Sequence, residues 1–286
     1  MNVKNQEINY QPGFVSRMAK IIIPILAALL PTKLFHRVYN KLYQLNMRRI
    51  WLFYSIRSHV SDLFASKEVR QKNGMIRKIL PYTLGGWKAL DNAFNVVSRV
   101  EKNKIPGVII ECGVAQGGTA AMMALSSRAF GNENREFWFF DSYEGLPEPT
   151  EEDYEGVKAG DYVGVLVKGS CLGTIEQVSE LLFDKLNLPK DKITLVNGWF
   201  QDTVPSHKDK VGKIAILRLD GDWYESTKIP LENFYQHISP GGCVVIDDYA
   251  TCFGSKKATD EFIEENSIDT YLRPDDRGGA WFVKPN

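Results

Sequence analysis

Two short apolar runs in this chain end in carboxylates. Ile214, Ala215, Ile216, Leu217 and Leu219 lead to Asp220 and Asp222, and Val244, Val245 and Ile246 lead to Asp247 and Asp248. A continuous apolar run bounded by turn residues suits a buried strand of a parallel sheet, and ligands of open α/β sheets sit outside the carboxyl ends of such strands. If the two strands are neighbours, four carboxylates meet at one edge of the sheet. Acids that close repel one another unless something positive is shared between them. A hard divalent cation with oxygen ligands meets that need. Octahedral Mg²⁺ suits it best, because it uses a few carboxylates and leaves room for substrate oxygens. Each aspartate alone also suits a helix cap or an ion pair with Lys or Arg; it is the set that points to a metal.

Two further stretches carry chemistry. The segment ECGVAQGGT, Glu111 to Thr119, follows an apolar run over 107–113. Its glycines are spaced G-x-x-x-G-G, which does not match the dinucleotide fingerprint, and no Lys-Ser/Thr pair makes it a phosphate loop. Glycines such as Gly113 and Gly117 still let backbone approach a ligand closely, and a following helix N-terminus favours an anion such as a carboxylate. The run FWFFD ends in Asp141. An acid at the end of a second strand is where nucleoside-binding α/β folds grip a ribose diol; capping of the next turn is the plainer alternative.

The elements that must position these residues follow from periodicity. Strands are expected over 107–113, 137–141, 192–196, 213–220 and from the turn at Pro240–Gly242 through Asp248. Helices are expected over 83–100, 174–186 and 258–265, with another, carrying Leu231 and Phe234, capped by Ser226 or Thr227. A closing hairpin pairs 270–272 with 280–284 around 275–279. This order implies a mostly parallel, doubly wound sheet with an antiparallel C-terminal edge strand. The segment 142–162 is rich in Asp and Glu, with Lys158 its single base. A long irregular segment in a compact domain is usually a lid or binding loop; a solvated insertion is the alternative.

With 286 residues, 44% hydrophobic, the chain can bury a real core and is no disordered polypeptide. Its four cysteines form no C-x-x-C, which suits reduced thiols in a cytosolic protein rather than a disulfide framework or zinc site. The net charge is zero but unevenly divided: residues 1–80 carry +11 and the remainder −11. The chain divides into a basic helical N-terminal arm, residues 1–80, and a sheet domain, residues 81–286. Ten residues from Ile21 to Leu30 are apolar or Pro, too few to span a bilayer, which takes about 20. Leu34 to Arg57 mixes aromatics with Lys and Arg. It reads either as a basic amphipathic helix on an anionic membrane face, with contact through residues 1–57, or as an arm packed on its own domain or a sister subunit. No nucleic-acid-binding motif accompanies the charge.

The pieces ECGVAQGGT, FFDSYEGLPEP, NGWFQDTVP, LRLDGDWYEST, SPGGCVVIDDY and the ATDEF helix resemble, in order and spacing, those of the macrocin-type O-methyltransferases, which methylate sugar hydroxyls on macrolide and aminocoumarin antibiotics. The resemblance covers Thr83 to the C-terminus. It implies a Rossmann-like class I methyltransferase domain over 81–286 with 142–162 as its lid. It also implies two cofactors, S-adenosylmethionine (SAM) and a divalent metal, usually Mg²⁺. By position, Glu111, Gly113 and Gly117 lie along the methionine half of SAM, Asp141 holds the ribose hydroxyls, and Gly198, Trp199 and Phe200 lie near the adenine. Asp220, Asp247 and Asp248 match the metal ligands, and Asp222 the general base. The expected function is O-methylation of a sugar hydroxyl of a glycoside, nucleotide sugar or surface saccharide. A catechol-like acceptor and a non-catalytic membrane-surface protein are the rival readings. Family members are often oligomeric, and the expected setting is cytoplasmic, with peripheral attachment to the inner face of the membrane as the alternative that the arm leaves open.

Overall fold

The computed structural model describes residue 8 and residues 14–132, 134–154, 166 and 168–285. Among the described residues, seven strands form one sheet: β1 (Val108–Cys112), β2 (Phe137–Asp141), β3 (Ile193–Asn197), β4 (Ile214–Leu219), β5 (Ile238–Ile246), β6 (Arg273–Pro274) and β7 (Ala280–Val283). Their order is β3-β2-β1-β4-β5-β7-β6, with β1 to β5 parallel and β7 antiparallel to both its neighbours. The closing hairpin is present. Its first strand is only Arg273–Pro274, and β7 sits between β5 and β6, so the edge strand is β6.

Alternation along the central strands feeds two apolar layers. Ile109, Phe139, Ile216 and Val245 face one side, where α3 (Lys67–Ile79), α4 (Gly86–Lys102), α5 (Gly118–Ala129) and α6 (Ile175–Ser179) pack. Ile110, Phe140, Leu217 and Val244 face the other side, against α7 (Phe200–His207), α8 (Tyr224–Phe234) and α9 (Phe253–Glu265). The helix expected over 174–186 is α6 followed by a π-helical turn, Glu180–Lys185, in which Leu186 N reaches back to Leu181 O. Helix α9 starts five residues earlier than its apolar pattern suggests.

The arm holds α1 (Phe14–Leu29) and the 31-residue α2 (Thr32–Asp62). Helix α1 runs on through Pro24, and no described helix is long and apolar enough to cross a membrane. One face of α2 is docked: the Tyr54 ring stacks on Trp87 with centroids 5.5 Å apart, and Trp51 Nε1 donates to Arg77 O at 3.1 Å. Ile76, Ile79 and Leu80 are fully buried within the layer of α4 and α5, so the core takes in the last residues of the first eighty.

Candidate active site

Register brings the acids together. Strands β1, β4 and β5 run in step, pairing Glu111 with Arg218 and Leu219 with Ile246, so Asp220 and Asp247 leave adjacent strands side by side. They open into a cleft of about 610 Å³ at the carboxyl edge of the sheet, a size that suits a small-molecule site. Gly113, Asp141, Trp199, Phe200, Asp220, Asp222, Asp247 and Asp248 all line it. Glu111, Gly117 and Gly198 lie behind the lining: Glu111 beneath the floor and 1% exposed, Gly117 as the N-cap of α5, Gly198 at the end of β3.

Sequence reasoning passed over two residues that dominate the electrostatics. Arg218, 3% exposed, donates from Nη1 to Glu111 Oε1 at 2.8 Å and Asp220 Oδ2 at 2.6 Å, and from Nη2 to Asp247 Oδ1. Arg277, from the hairpin loop between β6 and β7, donates to Asp247 Oδ2 through both Nη1, at 2.9 Å, and Nη2. Part of the positive charge that the acids need is therefore supplied by the chain. A lone arginine inside an otherwise apolar strand was the available signal, because a buried charge must be paired. Arg277 gave none, since DDRGG reads as an exposed turn.

The pairing is uneven, and the carboxyls differ accordingly. Burial raises Asp247, but Arg218 and Arg277 outweigh it and hold the group below the usual carboxylate range. Burial pushes Glu111 up to about 8 against the pull of Arg218. Asp248 is raised well above normal, by burial first and then by Asp222 and Asp220. Its Oδ2 is buried and has no hydrogen-bond partner. Asp220, Asp247 and Asp248 each present an oxygen, all within 4.8 Å of one another. Ligand oxygens around Mg²⁺ lie about 3 to 4 Å apart, given bonds of about 2.0–2.1 Å. The trio fits such a cation, with Asp248 Oδ2 an oxygen still lacking a partner and Asp247 keeping spare lone pairs beside its arginines.

Asp222 reaches the same space by a different route from the one its sequence suggests. The turn LDGD points to its glycine as the strained residue, yet it is Asp222 that adopts φ +60°. Gly221 is glycine for lack of room: an added Cβ would lie 2.7 Å from Ser226 Cβ. The Cys252 thiol donates to Asp222 Oδ1 at 3.6 Å. Burial and then the charge of Asp220 push the Asp222 carboxyl up to about 7. A non-glycine residue held at positive φ and a raised carboxyl coincide at Asp222, and both features are enriched at functional sites.

Asp141 braces the glycine loop. Its Oδ2 accepts from the backbone N–H of Val114 at 2.6 Å and of Ala115 at 2.9 Å, and its Oδ1 from Tyr143 N at 2.7 Å. Gly113, at φ +97°, is where that loop crosses the end of β4; a Cβ there would lie 1.9 Å from Asp220 O. The described part of the acidic segment is tied down as well. Thr150 caps a short turn over Glu151–Asp153, and the fully buried Asp153 accepts from Tyr224 N at 2.7 Å. Residues 155–162 of the expected lid lie outside the described residues.

Comparison with known proteins decides the family. The macrocin-O-methyltransferase (TylF) family model matches residues 24–284. The chain belongs to that family. The match reaches back into the arm, upstream of every motif visible by eye. The demethyldecarbamoylnovobiocin O-methyltransferase of Streptomyces niveus is 34% identical over 203 residues, covering 71% of this chain and 76% of that protein. The mycinamicin III 3''-O-methyltransferase of Micromonospora griseorubida is 28% identical over 236 residues, 80% of this chain and 90% of that one. Among solved structures, the O-methyltransferase NovP superposes with a TM-score of 0.63 at 33% identity, over 72% of this chain and 83% of that one. The calicheamicin methyltransferase CalS11, 17% identical, has the same fold over the whole chain (TM-score 0.60, covering 100% of this chain and 99% of that one). The protein is an O-methyltransferase with a class I methyltransferase fold.

Proposed function

We propose that this enzyme is a SAM- and Mg²⁺-dependent O-methyltransferase acting on a sugar hydroxyl of a glycoside, nucleotide sugar or surface saccharide. One observation carries the reading: three carboxylates suited to a cation share a cleft with a fourth, Asp222, that is left free of any arginine. The acceptor class is supported by the relatives, one of which, from Streptomyces olivaceus, is named as the 4'-O-methyltransferase of a dimethoxy-rhamnosyl tetracenomycin.

Asp220, Asp247 and Asp248 would hold the cation, which when bound supplies Lewis acidity that lowers the pKa of the acceptor hydroxyl. SAM, when bound, supplies the electrophilic methyl group. We assign its methionine half to the stretch from Glu111 through Gly113 to Gly117, its ribose to Asp141, and its adenine side to Gly198, Trp199 and Phe200. Asp222 accepts the hydroxyl proton as the acceptor oxygen attacks. A carboxyl raised to about 7 is well matched to that task near neutral pH. Arg218 fixes Glu111, Asp220 and Asp247 relative to one another, and positioning of this kind supplies much of the rate in an in-line displacement.

The test is methyl transfer by the full chain from SAM to a panel of deoxysugar glycosides and nucleotide sugars, with EDTA and with added Mg²⁺. We expect a methylated sugar whose formation stops in EDTA and returns with Mg²⁺. Turnover insensitive to EDTA would remove the metal, and failure of the folded protein to bind SAM would overturn the reading.

A further inference from the structure

Helix α2 has two apolar faces, and the fold uses only one. Tyr54 and Ser58 are buried against the domain. On the opposite side Leu42, Leu45, Leu52, Phe53, Ile56 and Val60 form a stripe at helical spacing, each more than half exposed. The stripe runs for much of a helix about 46 Å long. Helix α1 repeats the pattern, with Ile21, Ile25 and Leu29 at 59%, 52% and 74% exposure. A continuous exposed apolar surface of this extent marks an interaction site.

The charge around the stripe selects the partner. From Ile8 to Ser61 the sequence contains no Asp or Glu, and Lys41, Arg48 and Arg49 project from α2 into or beside the stripe. A symmetric contact between two copies would set this cationic face against itself, because Asp62, the single acid of the two helices, is already engaged by Arg77 and Asn73. An anionic surface of acyl chains and phosphates instead complements both halves of the pattern: apolar side chains enter the interface while the basic ones meet the headgroups. No described helix can cross a bilayer, so the helices would lie in its plane.

We propose that α1 and α2 form a docking surface for an anionic phospholipid membrane, holding the enzyme peripherally at the bilayer. Docked Trp51, Tyr54 and Trp87 tie that surface to the start of α4, directly after residues 82–85 on the rim of the catalytic cleft.

The experiment is co-sedimentation of the full chain with vesicles of phosphatidylcholine alone or of phosphatidylcholine and phosphatidylglycerol in equal parts. We expect binding only to the anionic vesicles, and release by high salt. The exposed-site variants Leu52→Glu with Ile56→Glu, and Arg48→Glu with Arg49→Glu, should retain the wild-type melting temperature yet bind these vesicles roughly a hundredfold more weakly or less. Absence of binding by the intact chain would overturn the proposal, as would undiminished binding by folded variants. Dissociation of a dimer by the same variants, without vesicle binding by the parent, would assign the stripe to a second copy instead.

Discussion

Arg218 and Glu111 face each other across paired strands, guanidinium to carboxylate at 2.8 Å, with side chains 4% and 1% exposed. Glu111 lies under the cleft floor and Arg218 reaches its lining, and the pair joins the strand that opens the glycine loop to the strand that delivers Asp220. The same guanidinium also holds Asp220 and Asp247, so its removal strips a partner from three buried carboxyls and leaves the ionised Asp247 with Arg277 alone.

Arg218→Met should therefore destabilise the protein by about 3–5 kcal/mol in urea unfolding. Adding Glu111→Gln in the same chain should return part of that loss. A double variant no better than the single would show that Arg218 acts through Asp247 and Asp220 alone.

Asp222→Asn should bind SAM and Mg²⁺ normally in calorimetric titration while turnover falls by about 10²–10⁴. Near-normal turnover would exclude Asp222 as base. In the wild type, a base must be unprotonated to act. Because burial and Asp220 lift this carboxyl to about 7, kcat/KM should climb with pH through a midpoint at or below about 7 and then level off. A cation on Asp220 and Asp248 offsets the repulsion and moves that midpoint down. A rate that rises as the pH falls through this range would have the wrong sign.

Asp248→Asn separates metal binding from folding. The raised Asp248 carboxyl favours its protonated form, which asparagine imitates, so the metal-free melting temperature should hardly change. Wild-type protein should gain about 2.7 kcal/mol when Mg²⁺ is at roughly a hundredfold excess over Kd. The variant should lose that gain. Equal stabilisation of both chains by Mg²⁺ would contradict the assignment of Asp248 as a ligand.

Asp141→Asn tests bracing against cofactor contact. Asparagine offers one acceptor oxygen where the carboxylate serves three backbone donors on its two, so the metal- and SAM-free protein should lose about 1–3 kcal/mol. Lost SAM affinity at an unchanged melting temperature would leave only the ribose role.

Gly113→Ala should be far worse than Gly131→Ala. Both glycines have positive φ, but a Cβ at 131 meets nothing within 4 Å while one at 113 would lie 1.9 Å from Asp220 O. The first change should cost more than about 4 kcal/mol or prevent folding, and the second only the backbone strain of about 1–2 kcal/mol. Similar melting temperatures for the two variants would mean that the loops can part without loss.

The sheet and its acidic edge were legible because buried parallel strands leave continuous apolar runs, and Asp220 and Asp247 stand directly after two of them. What the runs concealed is charge inside them: Arg218 was read as part of an apolar strand, and its partners lie as far as 107 residues away, where only register can bring them. The strain at Asp222 was hidden by the glycine beside it, which drew attention to the residue that usually takes positive φ. Helix α2 misled by being amphipathic twice over, so that its sequence shows aromatics and bases without telling the docked face from the open one. Hydrophobic spacing is also blind to the π-helical turn that ends the helix over 174–186 and to the first five residues of α9.

The place of β7 has a bearing on how the protein is made. Synthesis delivers β5 well before Ala280–Val283, the strand that covers its free side, so a growing chain carries an open, apolar sheet edge until the hairpin has emerged. Arg277 travels on the same hairpin, and until it arrives Asp247 has only one of its two guanidiniums. Covering the sheet and neutralising the acid cluster thus become a single late event, and a chain cut short before the hairpin would lack both.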